Sequence, residues 1–121
     1  LDHAVSTLVL DLEERGMLND VSVVVWGDFG RTPKINSTAG RDHWPRVASG
    51  LVAGGGLRGG QVIGSTTEDA GEADERPIHY RDVMATLLKA HGFDVRTDLV
   101  RDNLDRPRYL YEGHEPIPEL L

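Results

Sequence analysis

Val21-Ser22-Val23-Val24-Val25-Trp26-Gly27-Asp28-Phe29-Gly30-Arg31-Thr32-Pro33 is the stretch on which the fold turns. Its first six residues are apolar apart from Ser22, the pattern of a strand covered on both faces. Gly27-Asp28 stops the run and places a carboxylate at the strand's C-terminal end, where open α/β sheets build their ligand sites. Residues 27–46 hold two Pro, three Gly and many polar groups, so they read as a long loop. A long loop in a compact domain is more often functional than not. This one carries Gly40-Arg41-Asp42-His43-Trp44-Pro45, in which Asp42 and His43 are both capable of binding a metal.

Working outward, Leu1, Val5, Leu8 and Leu12 recur at steps of four, three and four, one face of a helix that Gly16 closes in a left-handed cap. Val47 to Ala53 is a second apolar run, ended by Gly54-Gly55-Gly56, and Gln61 to Gly64 reads as a short strand. Tyr80 to His91 forms a second helix, with Asp82 in its first turn and Gly92 after its end. Beyond Phe93 the chain is charged, contains Pro and reads as irregular. Helix, strand, strand and helix in alternation predict an α/β layered architecture. The opening Leu1-Asp2-His3-Ala4-Val5 lacks an initiator Met and reads as the inside of a helix. Residues 1–121 are therefore expected to be a piece of a longer protein.

Composition narrows the function. The 121 residues carry 20 acids against 13 bases, a formal net charge of -7. Nucleic-acid binding needs a basic surface to neutralise phosphates, so that class is disfavoured. The five acids between Glu68 and Glu75 read as a solvated loop, since they lack calcium-loop spacing. Without cysteine there is no disulfide, thiolate zinc site or Cys nucleophile in these residues. No apolar run approaches the roughly 18 residues of a membrane span.

Asp28-Phe29-Gly30 lacks the partner motifs of a kinase. Gly54-x-Gly56-x-x-Gly59 has the spacing of a dinucleotide loop, but Gly60-Gln61-Val62-Ile63 after it looks extended where a helix is required. Asp28 reads either as a turn residue bonding its own backbone or as a ligand at a strand end. Arg31 reads either as half of an internal ion pair or as a clamp on an oxyanion. His43, between Asp42 and Trp44, is balanced between a structural and a ligand role. His3, His79, His91 and His114 show no partner pattern.

Taken together, residues 27–33, Gly40-Arg41-Asp42-His43-Trp44-Pro45 and the run from Ala53 to Gly64 resemble the C-terminal third of a bacterial family of sulfatase-like domains of unknown function. Arg76-Pro77, the helix with Leu87 and His91-Gly92, and Glu115-Pro116-Ile117 also look like that family's end, so the resemblance covers nearly the whole chain. The family in turn resembles the alkaline phosphatase and sulfatase superfamily. The resemblance implies an α/β fold, a piece of an alkaline-phosphatase-like sandwich with a mostly parallel sheet, in which residues 1–121 are the C-terminal portion of a single domain. It also implies hydrolysis of an anionic phosphate or sulfate ester at one or two divalent metals: zinc, calcium, magnesium or manganese. A catalytically degenerate, exported binding or scaffolding module is the second reading. On the superfamily pattern, Asp28 falls on a metal-binding Asp, and His43 near a further metal His. Asp42 becomes a ligand or a partner of one, and Arg31 and Arg41 hold the anionic group. Phe29 stands where the superfamily has a ligand His. The nucleophile is expected outside this chain. The implied partner is a small anionic ester or a sulfated or phosphorylated glycan, and the implied setting is periplasmic or exported.

Overall fold

The computed structural model describes residues 1–111 and 113–121. Its elements are α1 (Asp2–Glu14), β1 (Ser22–Trp26), β2 (Gly30–Arg31), β3 (His43–Trp44), β4 (Gly50–Gly54), α2 (Tyr80–Ala90), β5 (Leu99–Arg101) and β6 (Pro107–Tyr109), followed by a 3₁₀ turn over Pro118–Leu120. Both helices end as the sequence predicts. Gly16 and Gly92 take positive φ, and the residues after them, Met17 and Phe93, reach back to the carbonyls of Leu12 and Leu88. Those bonds satisfy carbonyls that a helix end otherwise leaves open. The predicted apolar face of α1 is buried only at its C-terminal end: Leu12 is 7 % exposed, Leu8 45 % and Leu1 90 %.

The expectation of a mostly parallel sheet is overturned. The described strands form three two-stranded sheets, β1 with β4, β2 with β3 and β5 with β6, and every pair is antiparallel. The sandwich expected from the resemblance is therefore absent from these residues, which make a mixed α/β arrangement of two helices and three antiparallel ribbons. The reason lies in the connection. Two parallel neighbours need a crossover, usually a helix, whereas residues 27–49 between β1 and β4 hold only the β2–β3 ribbon. In the β1–β4 pair Val24 faces Val52 and Val25 faces Leu51. β1 is only partly buried, and Trp26 at its end is exposed. A valine-rich run thus marks a strand here without marking coverage of both faces.

Gly54, at the end of β4, and Gly55 after it serve a close approach. Gly54, Gly55 and Gly56 all have positive φ, and a Cβ on Gly55 would lie 1.9 Å from Ser22 Oγ. No helix opens after them. Gln61 to Gly64 does not form the expected strand. Instead the Gln61 amide donates to the carbonyls of Arg58 and Glu119, and the Arg58 N–H donates to Leu120 O. The region after Phe93 is more ordered than expected. Asp102 Oδ1 accepts the N–H groups of Leu104 and Arg106 and so turns β5 back onto β6.

The buried apolar residues are few: Leu12, Ala85, Val95, Ile117 and Leu120. Thr86, on α2, is fully buried. Its hydroxyl donates to Asp82 O at 2.6 Å and accepts from the Ile117 N–H at 2.8 Å, which fastens the C-terminal segment to α2. Arg76 adds a two-pronged pair to Glu119, at 2.7 and 2.9 Å.

Thr86→Val keeps the shape but strands the Ile117 N–H, and should cost about 1–3 kcal/mol in urea unfolding. An unchanged midpoint would mean that water replaces the hydroxyl. Gly30 supplies a steric test, because a Cβ there would sit 1.9 Å from Val47 O. Gly30→Ala should lose about 2 kcal/mol or more, whereas Gly59→Ala, which meets open space, should stay within about 0.5 kcal/mol.

Candidate functional site

The candidate site sits on the β2–β3 ribbon that interrupts the β1–β4 connection. Gly30 pairs with Trp44 and Arg31 with His43. Only glycine fits at Gly30, so the ribbon can press against the carbonyl of Val47. Directly opposite residues of an antiparallel pair put their side chains on the same face. Arg31 and His43 therefore share a face. Phe29 joins them: its ring centroid lies 3.8 Å from that of His43, and the Arg31 guanidinium carbon stands 5.2 Å from the same ring. A guanidinium over an aromatic face is attracted by the ring quadrupole, worth about 0.5–1 kcal/mol at an exposed site.

Asp28 lies just beyond β1 and is exposed. Its Oδ1 accepts the N–H of Phe29 at 3.0 Å, the turn role that the sequence allowed. Asp42 is held elsewhere. Its Oδ1 accepts from the Asn36 amide at 2.8 Å, and its own N–H donates to Thr32 Oγ1. Asn36 organises the loop, since its Oδ1 accepts from the N–H groups of Thr38 and Gly40 and from the Thr38 hydroxyl. Its bonds to Asn36 and Thr32 hold Asp42 in the loop that precedes β3. Arg41 donates to the carbonyls of Thr32 and Pro33, so it clips the loop shut rather than reaching outward.

Of the five residues predicted from sequence, Arg31 and His43 come together, Asp28 stands next to them through Phe29, and Arg41 and Asp42 are occupied by the loop. Among the described residues no group of three or more His, Cys, Asp or Glu gathers as a metal site would require. Asp28, Asp42 and His43 do not by themselves make a ligand set.

The acidic loop is less free than its composition implied. Trp44 Nε1 donates to Gly71 O, and Arg46 pairs with Glu72, so the loop rests against β3. Thr67 and Asp69 brace it from inside. The Thr67 hydroxyl and the Gly71 N–H hold the Asp69 carboxyl below its ordinary range.

A second cluster went unread in the sequence. His79 caps α2, its Nδ1 accepting the Arg81 N–H, while Asp82 Oδ2 accepts the His79 N–H. His114 Nδ1 donates to the other Asp82 oxygen at 2.9 Å, and the His79 and His114 rings stack 4.8 Å apart. Partial burial pushes the Asp82 carboxyl up, but the His114 bond and the His79 N–H outweigh it and leave the group below its usual value. The three-residue spacing from His79 to Asp82 is a capping-box spacing, and was the available signal. Ser22 Oγ lies 2.9 Å from His91 Nε2, which ties the start of β1 to the end of α2.

Residues 1–121 match the family described as protein of unknown function (DUF1501). The chain belongs to the DUF1501 family. No curated protein and no solved structure matches it. For this DUF1501 chain the ribbon with Arg31, Phe29 and His43 is the best-formed grouping among the residues singled out from sequence. No helix among the described residues is long and apolar enough to cross a membrane.

Arg41→Gln should leave the elements intact but loosen the loop. The N–H groups of Thr32 and Asn36, which bond Asp42 O and Gly40 O, should exchange about tenfold faster with deuterium, as loss of a charged hydrogen bond implies. Unchanged protection at both amides would show that Asn36 holds the loop alone.

Proposed function

We propose that this chain recognises the anionic group of a sulfated or phosphorylated ester, such as a modified glycan, within an exported sulfatase-like protein. The observation that carries the reading is the exposed face on which Arg31, Phe29 and His43 meet. A guanidinium offers paired donors to an oxyanion, and the adjacent imidazole offers a further N–H. Phe29 holds both groups in place and offers an apolar surface to the rest of the ligand. Arg41 Nη1 is engaged by the carbonyls of Thr32 and Pro33, so on this reading Arg31 is the principal anion contact and Arg41 the secondary one. The exported setting rests on the family resemblance alone.

A metal-dependent hydrolase is the second reading, and one observation favours it: Asp28 and His43 flank the same Phe29, one through its N–H and the other through its ring. On that reading the two residues contribute to a site whose remaining donors and nucleophile lie outside these residues. The donors present here carry no complete reaction.

A sulfated oligosaccharide titrated into the full-length protein tests the first reading. Arg31→Gln should weaken binding about tenfold, in line with loss of a charge-assisted contact, and raised salt should weaken it further. Equal binding by Arg31→Gln and the parent sequence removes this face from recognition. Elemental analysis of the same proteins separates the two readings: stoichiometric zinc, calcium, magnesium or manganese that falls in Asp28→Ala and His43→Ala supports the hydrolase. Absence of metal from all of them removes the hydrolase reading.

A further inference from the structure

A cleft away from the β2–β3 ribbon has a different chemistry. It is a shallow, open depression of about 290 Å³ lined by Arg81, Arg108, Tyr109, Leu110 and Tyr111. Arg81 comes from the first turn of α2, and the others come from β6 and the residues just after it. Hydrogen bonds hold these walls. The Leu110 N–H donates to Asp98 O, β6 is laddered to β5, and Arg81 Nε donates to the Tyr80 hydroxyl at 3.1 Å.

The charged residues that line this cleft, Arg81 and Arg108, are both cationic although the chain as a whole is acidic. The whole sequence carries a formal net charge of -7. The β5–β6 hairpin nonetheless has Arg101, Arg106 and Arg108 against Asp102 and Asp105. Arg101 pairs with Asp105, and Asp102 is shared between Arg106 and Arg108, the longer contact being the 3.4 Å one to Arg108. One carboxylate therefore serves two guanidinium groups, and Arg81 has no carboxylate partner among the described residues. Burial pushes the Tyr111 phenol up, with the charge of Arg81 only partly opposing it, so at neutral pH the phenol is a neutral O–H donor. Tyr109 adds a second phenol and a half-exposed aromatic face.

We propose that the cleft lined by Arg81, Arg108, Tyr109 and Tyr111 binds a phosphate monoester carried on an aromatic ring. Two guanidinium groups from separate elements match a dianion better than a single negative charge. A phosphate monoester carries roughly -1.5 to -2 at neutral pH and offers three strong acceptor oxygens, whereas a sulfate ester or a carboxylate carries one charge. Arginine suits such oxygens because its fork donates two parallel bonds. The tyrosine faces favour an aryl carrier, since offset aromatic pairs add about 0.5–1.5 kcal/mol beyond the area they bury. The volume of about 290 Å³ lies just below the range for drug-sized ligand pockets, roughly 300–1,000 Å³, which suits a ligand as small as one ring with its phosphate.

The test is calorimetric titration of the full-length protein with phenyl phosphate, with phenyl sulfate, benzoate and inorganic phosphate as comparison ligands. Saturable binding of phenyl phosphate is expected, tighter than any of the other three. Arg81→Gln and Arg108→Gln should each weaken it about tenfold, the loss expected of one charge-assisted pair. Arg15→Gln, at an exposed arginine that pairs only with Asp11 at the end of α1, should leave it unchanged, which shows that loss of one surface cation is not enough to weaken binding. Binding should also weaken as the pH falls through about 6 and the ester loses its second charge. Circular dichroism of the exposed Arg81→Gln variant checks its fold, and glutamine preserves helix propensity there. Absence of saturable binding overturns the proposal, as does binding that both arginine variants retain. Equal weakening by Arg15→Gln makes the binding a general effect of surface charge and overturns it too. Equal affinity for benzoate or phenyl sulfate removes the phosphate assignment.

Discussion

Among the described residues Thr86 is the fully buried polar side chain, and the packing converges on its hydroxyl. It spends its donor on Asp82 O and its acceptor on the Ile117 N–H. A buried backbone N–H without a partner is costly, so the Ile117 bond fixes where the C-terminal segment lies against α2. Ile117 and Leu120 then become two of the few buried apolar side chains. From there the constraint spreads outward. Leu120 O receives the Arg58 N–H, Glu119 O receives the Gln61 amide, and the Glu119 carboxylate receives Arg76. The segment following β4 is thus held to the C-terminal turn by hydrogen bonds rather than by a sheet ladder.

The β2–β3 ribbon is organised independently of that core. Its position depends on the missing Cβ of Gly30, and its loop depends on Asn36 and Arg41. Small polar residues bonding to nearby backbone are a local device and need no large apolar core. This lets an exposed ribbon present Arg31, Phe29 and His43 in a defined arrangement although little of it is buried. The same polar economy appears in the β5–β6 hairpin, where Asp102 accepts two backbone N–H groups and faces two arginines. Those contacts lower the Asp102 carboxyl, the Arg106 side chain first among them. Two surface features, one with an arginine over an aromatic ring and one with arginines beside phenols, therefore rest on side-chain-to-backbone bonds more than on burial.

Much of the local structure was legible from residue type. Gly16 and Gly92 end their helices because only a residue without a Cβ takes the left-handed conformation freely. The Val21 to Trp26 run marked a strand, and Arg31 and His43 were marked for the site before their pairing was known. The hairpin after Phe93 was hidden because its strands are short, charged and opened by Pro107, which departs from the alternating pattern that reveals strands. His114 was hidden for a different reason: its partner Asp82 lies 32 residues earlier, and no local spacing encodes such a contact.

By itself the sequence determined the helix ends, the β1 strand, the glycine turns and the residue types available for anion recognition, since these follow from backbone sterics and side-chain chemistry within a few positions. Tertiary structure alone decided the direction of strand pairing, because a valine run is equally compatible with a parallel and an antiparallel neighbour until the connection is traced. It alone decided which candidates meet: Arg31 faces His43 across a ladder, while Asp42 and Arg41 are taken up by the loop that makes the ladder possible. It also placed Arg81 beside Arg108 in one cleft. Long-range pairing is set by which hydrogen bonds can be satisfied together in three dimensions, and that sum is not written in any short stretch of chain.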